Sequence, residues 1–192
     1  MLYQLQEIDK SLFLFLNSLN SPFFDSLMWL VSGQIIWIPY FLLIIFFFAK
    51  KYNKKFFIPL LFLLITIAIA DLSSVHLFKE VFKRLRPCHN PEFIDIIHIV
   101  KNKCGGNYGF VSSHSANFFS LAFFASLVIK KRWFSFMAFS IAVLIAYSRI
   151  YLGVHYPADV LGGAILGIFV AFVVFKIYLL ILNLNSKTKK QE

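Results

Sequence analysis

Three short stretches of this chain carry the residue types that phosphate-ester chemistry needs. Residues 79–87 read K-E-V-F-K-R-L-R-P, residues 111–114 read V-S-S-H, and residues 148–159 read S-R, five residues, a histidine, three residues and an aspartate. Cleavage of a phosphate ester requires an in-line nucleophile, positive charge around the phosphoryl oxygens and a proton for the departing oxygen. Each requirement has candidates within these stretches.

The predicted phosphate ligands are three cations and two serines. Lys79, Arg86 and Arg149 supply fixed positive charge, and a planar guanidinium group suits a two-pronged contact with phosphate. Ser112 and Ser113 directly precede a predicted helix. The first amides of a helix have no partner within it, so a terminus of this kind binds anions readily.

A histidine and a carboxylate stand four residues apart in the third stretch. Pro157 is predicted to start a helix, which places Asp159 in the first turn and close to His155. A carboxylate that holds one ring N–H fixes the tautomer and leaves the other nitrogen free to attack. With His114 as a second histidine, one imidazole attacks phosphorus while the other protonates the leaving group. This scheme requires no metal and no other cofactor.

The composition places these residues in a membrane protein. The 192-residue chain is 59% hydrophobic and 15% charged, with a mean hydropathy of +0.75, whereas a soluble domain is about 45–50% apolar. We expect an all-α integral membrane protein, a bundle of five spanning helices with an N-terminal amphipathic, interfacial helix. The predicted spans are 24–48, 56–79, 114–130, 133–148 and 157–182, and the amphipathic helix covers 5–19. Glu7 and Asp9 argue against a cleavable signal peptide.

The net charge is +10, and the basic residues are distributed according to the predicted membrane segments. Basic residues cluster at the ends of apolar runs, which is typical of cytoplasmic loops, so we expect no nucleic-acid partner. The clusters are Lys50, Lys51, Lys54 and Lys55; Lys130, Lys131 and Arg132; and Lys187, Lys189 and Lys190. Alternation of the spans then places segments 80–113 and 149–156 together on the outer side. Cations in these segments oppose the charge bias, and a shared anionic ligand explains them better than an exposed basic loop does.

Cys88 and Cys104 are the only cysteines, and both fall in the predicted outer loop. A disulfide is the favoured interpretation in an oxidising exterior, and it would close a loop of about 15 residues, worth about 3 kcal/mol in the chain-entropy model. Free thiols and a metal site with His89 and His98 are the alternatives, although the spacing matches no zinc pattern.

One acidic residue lies deep in the second predicted span. Asp71 is eight residues before Lys79, which is about 12 Å along a helix that rises 1.5 Å per residue. That depth is too great for phosphate chemistry. We therefore expect Asp71 to hydrogen-bond a neighbouring helix.

The three stretches resemble the signature motifs of the type 2 phosphatidic acid phosphatase superfamily, the lipid phosphate phosphatases. Those motifs are K-x6-R-P, P-S-G-H and S-R-x5-H-x3-D, and the first and third match at every fixed position over a resemblance that spans about residues 56–182. The scaffold is also similar to vanadium-dependent haloperoxidases, but those are soluble.

The resemblance implies a role for each matching residue. His155 would be the nucleophile that forms a phosphohistidine, oriented by Asp159, and His114 would be the general acid. The residues implied to bind the phosphoryl oxygens are Lys79, Arg86, Arg149, Ser112 and the backbone amide of Ser113.

The second motif departs from the family pattern at two positions. Val111 stands in place of proline and Ser113 in place of glycine. Serine still supplies a backbone N–H, but its Cβ disfavours a positive φ. The family pattern therefore does not predict the backbone conformation of this loop.

These observations predict a single membrane-embedded phosphatase domain over residues 1–192. Within it, 1–22 is the interfacial helix, 80–113 the outer loop and 184–192 a cytoplasmic tail. The expected enzyme is a multi-pass lipid phosphatase of the bacterial inner membrane, with its site facing the periplasm and a lipid phosphate in the bilayer as its partner. Candidate substrates are undecaprenyl diphosphate, the favoured one, phosphatidylglycerol phosphate, phosphatidic acid and lipid A phosphates. The alternatives are a lipid phosphotransferase and a non-catalytic binder or transporter of anionic lipids.

Overall fold

The computed structural model describes residues 2–93 and 95–188, which are almost entirely helical. In chain order the α-helices are α1 (Leu2–Ser18), α2 (Pro22–Ser32), α3 (Ile38–Tyr52), α4 (Phe57–Ser73), α5 (Glu80–Phe82), α6 (Ser113–Ile129), α7 (Arg132–Tyr151) and α8 (Pro157–Thr188). A π-helical segment, Ser74–Lys79, joins α4 to α5. Short 3-10 turns cover Ile35–Trp37, Asn53–Lys55, Pro87–His89, Pro91–Phe93 and Val100–Asn102.

The membrane class and the all-α fold are confirmed. Four helical stretches in the described part of the chain are long and apolar enough to cross a bilayer: Ile35–Lys55, Phe57–Phe82, Arg132–Tyr151 and Pro157–Asn183. The fifth predicted span, α6, is a shorter apolar helix of 17 residues. It lies in the centre of the bundle, packed against α8, α7, α4 and α3.

The predicted first span, 24–48, is wrong in its boundaries. Ser21 caps α2 as expected, by accepting from the amide of Phe24, but α2 ends at Ser32 and the apolar stretch starts at Ile35. Gly33 is extended there, and the indole N–H of Trp37 donates to the carbonyl of Val31 at 2.8 Å. This bond satisfies a carbonyl that the end of α2 leaves without a helical partner.

The amphipathic helix α1 divides into an exposed and a buried face. Five apolar side chains at helical spacing in the predicted amphipathic segment are exposed: Leu5, Ile8, Leu12, Phe15 and Leu19. On the opposite face Asp9, Phe13 and Asn17 are buried. The Asn17 amide nitrogen donates to the carbonyls of His98 and Tyr151, each at 2.9 Å. One face of α1 is therefore part of the folded core.

Boundaries elsewhere differ by a few residues from the prediction. Arg149 lies in the last turn of α7, which extends to Tyr151, and not in the following turn. Residues 184–188 of the predicted tail continue α8. Residues 189–192, with Lys189 and Lys190, lie outside the described residues.

Two glycines let α8 approach the start of α6 closely. Gly163 and Gly167 form a G-x3-G pattern, which allows helix backbones to meet within a membrane. A Cβ at Gly163 would lie 2.5 Å from the carbonyl oxygen of Ser112, and a Cβ at Gly167 would overlap the carbonyl of Ala116. The hydroxyl of Ser115 also donates to the carbonyl of Val160 at 2.7 Å. These contacts fix the start of α6, with His114, beside the start of α8, with Asp159.

The glycine contact gives a stability prediction. Gly167→Ala should destabilise the protein by about 1–3 kcal/mol, because overpacking outweighs the gain of about 1 kcal/mol in helix propensity. The measurement is thermal unfolding of the purified protein in detergent. Gly106→Ala is the control, since a Cβ there meets no atom within 4 Å. Equal unfolding temperatures for the two variants would contradict the close α6–α8 contact.

Candidate active site

His155 is buried between α7 and α8 with a carboxylate on one side of its ring. The backbone amide of His155 donates to the carbonyl of Arg149 at 3.2 Å, which ties the linker to the end of α7. Nδ1 of the ring lies 3.4 Å from Oδ2 of Asp159. The same carboxylate oxygen accepts from the amide of Tyr156 at 3.0 Å. The geometry is that expected of a carboxylate in the first turn of α8.

The tautomer of His155 follows from its second neighbour. Nη1 of Arg86 lies 3.0 Å from Nε2 of His155. A guanidinium group can only donate, so Nε2 accepts and the ring proton is on Nδ1, facing Asp159. Nε2 is therefore the nitrogen with the available lone pair.

Arg86 is held in place by the loop 80–113. Its amide donates to the carbonyl of Asn107 at 3.0 Å, and the amide of Gly109 donates to the carbonyl of Arg84 at 2.9 Å. Gly109 is required here, because a Cβ would lie 2.8 Å from Oδ2 of Asp159. The two sides of this loop therefore pack directly against the His155–Asp159 pair.

A disulfide between Cys88 and Cys104 joins the same two sides of the loop, with Cα atoms 5.9 Å apart. The potential ligand atoms of Cys88, His89 and Cys104 lie within 4.8 Å of one another. Because the two sulfur atoms are bonded to each other, they are not thiolate ligands for a metal.

Lys79 reaches the site from the π-helical segment. Its Nζ donates to Oγ of Ser113 at 2.6 Å, and Oγ of Ser74 is also 2.6 Å from that hydroxyl. The serine that replaces the family's glycine thus contributes its side chain as well as its position at the start of α6. Ser113 is not among the described residues with positive φ, so its Cβ causes no backbone strain.

His114 lies in the same electrostatic neighbourhood. Three cations act on it electrostatically, Arg149, Lys79 and Arg86, and His155 is also close enough to do so when protonated. Arg149 projects from the last turn of α7, and its Nη1 donates to the hydroxyl of Ser32 in α2. The two histidines and the three predicted cations are therefore gathered at one end of the bundle.

Several polar atoms in this cluster have no protein partner. In the part of the chain that the structure describes, the buried side-chain atoms without a hydrogen bond include Nε of Arg86, Nε of Arg149 and Oγ of Ser112. Buried donors are nearly always satisfied, so unpaired donors need an explanation. Here all three belong to residues predicted to bind phosphate.

The electrostatic environment keeps the candidate nucleophile neutral. Burial lowers the pKa of His155 well below its usual value, and the charges of Arg86 and Arg149 lower it further. Burial also lowers the pKa of Arg86. At neutral pH the His155 imidazole is uncharged, which is the form that has a free lone pair.

Comparison with known proteins identifies the family. The PAP2 superfamily matches residues 55–181, about two thirds of the chain. The chain belongs to the PAP2 superfamily.

Two curated relatives and one solved structure share most of the chain. A lipid A 4'-phosphatase of Porphyromonas gingivalis is 37% identical over 90% of this chain and 74% of its own length. Another of that name, from Bacteroides thetaiotaomicron, is 38% identical over 85% of this chain and 73% of its own. The crystal structure of a PAP2-type phosphatidylglycerolphosphate phosphatase of Bacillus subtilis aligns with a TM-score of 0.67 at 25% identity, covering 91% of this chain and 86% of that one. This PAP2 chain is thus an enzyme that hydrolyses phosphate esters of lipids.

Sequence reasoning missed two contributors to the PAP2 site. Arg84 lies 2.9 Å from Asp159 through Nη1, and Ser74 reaches Ser113. Arg84 stands at a variable position of the first motif and Ser74 precedes that motif, so no motif points to either residue. The role expected for Asp71 is confirmed, since it accepts from the side chain of Asn117 in α6 at 2.8 Å.

The environment of His155 gives a prediction for its titration. Because its pKa is lowered, the ring should stay neutral as the pH falls from 7.5 to 6, where a free imidazole with a pKa of about 6.5 takes up a proton. The measurement is NMR of ¹⁵N-histidine-labelled protein, with His155→Gln to assign the resonance. A His155 resonance that titrates near pH 6.5 in the unliganded protein would contradict the assigned environment.

Proposed function

We propose that this PAP2 enzyme hydrolyses its lipid phosphate through a phosphohistidine on Nε2 of His155, without a metal. One observation carries the proposal: a neutral imidazole, held through Nδ1 by Asp159, presents Nε2 to a cluster of cations that includes unpaired buried donors. Phosphate ligands matter most when their charges are fixed before the reaction, as they are here.

In the first step, Nε2 of His155 attacks phosphorus and the ester P–O bond breaks. The negative charge of the bound phosphate offsets the surrounding cations and favours a proton on His114, which His114 gives to the departing oxygen. In the unliganded structure Arg86 donates to Nε2 of His155. When substrate binds, Arg86 donates to a phosphoryl oxygen instead, because that charged oxygen is a stronger acceptor than the imidazole nitrogen. Asp159 stabilises the positive charge that develops on the ring.

In the second step, water attacks the phosphohistidine. The new P–O bond forms as the P–Nε2 bond breaks, and His114 takes a proton from the water. Inorganic phosphate leaves, His155 is neutral again and His114 is again protonated for the next substrate. The two histidines therefore complete the cycle with no other proton carrier.

Charge balance supports the choice of an anionic substrate. Lys79, Arg86 and Arg149 lie close enough to repel one another, and Asp159 is the carboxylate beside the nucleophile. A phosphate group supplies the missing negative charge. A binder or transporter would need these cations but not a His155–Asp159 pair.

We propose a lipid A phosphate as the substrate class, in place of the undecaprenyl diphosphate that the sequence first favoured. The support is that the relatives at 37% and 38% identity are lipid A 4'-phosphatases. A phosphate on a lipid lies at the membrane surface, and the site lies at one end of apolar helices such as α7 and α8.

We further propose that the site faces the periplasm from the bacterial inner membrane. The basic residues Lys51 and Lys131 lie at the opposite end of the bundle. They are beside Phe47 of α3 and beside Ile129, the last residue of α6. Basic ends of spans favour the cytoplasm. The disulfide lies at the site's end, and disulfides persist in oxidising compartments. Both features support the same orientation.

The nucleophile assignment predicts that His155→Ala lowers phosphate release by at least about a thousandfold, because the variant lacks the imidazole that forms the covalent intermediate. The assay is release of inorganic phosphate from lipid in detergent. His76→Ala is the control, since His76 is an exposed histidine whose partner is Glu80. Substantial activity in folded His155→Ala protein would show that another residue attacks.

The substrate assignment predicts an order in kcat/KM. With a chelator present, purified protein should hydrolyse a lipid A bisphosphate more efficiently than undecaprenyl diphosphate, phosphatidylglycerol phosphate or phosphatidic acid. The same assay distinguishes a transferase, which would release phosphate only when an acceptor lipid is present. A clear preference for any other lipid of the panel would overturn the proposed substrate class.

A further inference from the structure

A chain of charged groups connects the N-terminal helix to the catalytic carboxylate. Oδ2 of Asp9 in α1 accepts from Nη2 of Arg84 at 2.6 Å, and Nη1 of Arg84 donates to Oδ1 of Asp159 at 2.9 Å. The other oxygen of Asp9 accepts from the amide of Ala158 at 2.8 Å. Arg84 also lies over the ring of Tyr156, 4.0 Å from its centre. One guanidinium thus bridges two carboxylates.

The two carboxylate oxygens of Asp159 have different partners. Oδ1 receives Arg84, while Oδ2 receives the His155 ring and the amide of Tyr156. Asp159 is fully buried, and a buried carboxylate is stable only when it is paired and hydrogen-bonded. Arg84 supplies the pairing from the side opposite His155, so that it sets the angle at which Oδ2 meets Nδ1.

Asp9 supports this arrangement from α1. It is itself 9% exposed, and its contact with Ala158 satisfies one of the amides that the first turn of α8 leaves unpaired. Because α8 begins at Pro157, this contact also fixes the helix turn that carries Asp159. The position of α1 against α8 therefore affects the orientation of Asp159.

We propose that Asp9 and Arg84 are positioning residues for the catalytic reaction, through which docking of α1 orients Asp159 against His155. The inference rests on the proposed function of His155. It gives α1, whose outer face is exposed and apolar, a role in positioning a catalytic group. The side-chain hydrogen bonds of Asp9 and Arg84 link them to each other, to Asp159 and to the amide of Ala158, none of which is a proposed phosphate ligand. Their loss should therefore lower kcat and leave KM unchanged.

The test compares Asp9→Asn and Arg84→Gln with wild-type enzyme in the phosphate-release assay. We expect kcat to fall about 10- to 100-fold, as for a small misplacement of a catalytic group, with KM within about twofold. Lys10→Ala is the matched control on the same helix, because it removes a surface ion pair with Glu92. It should leave both constants unchanged.

A double-mutant cycle separates positioning from general support of the fold. In an Asp159→Asn background, Arg84→Gln should change kcat by less than about twofold, because its effect passes through Asp159. Should Arg84→Gln fail to fold, the nearly isosteric Asp9→Asn is placed in the same cycle. A similar loss in both backgrounds, or an unchanged kcat in the single variants of an active enzyme, overturns the inference. A wild-type enzyme without phosphatase activity would instead overturn the proposed function.

Discussion

The structure depends on holding three like charges together at one end of an apolar bundle. Lys79, Arg86 and Arg149 come from three different parts of the chain and act on one another and on His114. Cations in a low-dielectric environment repel strongly, so the fold must fix each of them by contacts of its own. The same repulsion makes the site receptive to a phosphate group and, added to the larger effect of burial, keeps His155 neutral and able to attack.

Each supporting contact holds one member of this cluster. The π-helical segment and Ser113 place Lys79, the loop closed by Asn107 and the disulfide places Arg86, and Ser32 of α2 receives Arg149. The close approach of α6 and α8 at Gly163 and Gly167 holds the start of α6, with His114, beside the start of α8, with Asp159. Parts of the chain that do no chemistry, including α1 and α2, are therefore needed to define the site.

The fold class and the main site residues could be predicted from sequence, because their signals are local. A histidine with an aspartate four residues later in a helix start has few possible geometries, and long apolar runs identify spans directly. The break at Gly33 was missed, since the apolar composition continues on both sides of a short polar stretch.

The longer-range contacts could not be predicted. Lys79 donates to Ser113 from a π-helical segment, and the register of that segment differs from the α-helical register that the sequence predicts. Arg84 is 75 residues from both Asp9 and Asp159 in the sequence. No pattern of spacing links residues that far apart, and the approach of α1 that joins them is set by tertiary packing.

The central claim is that the phosphoryl group is transferred to Nε2 of His155 within this cluster. The most direct measurement is mass spectrometry of the enzyme, quenched in alkali during turnover of its lipid phosphate, because phosphohistidine survives alkali and decays in acid. The account predicts a phosphate on His155, attached at Nε2, that disappears as substrate is exhausted. A phosphate on His114, or turnover with no covalent adduct on any histidine, would contradict it.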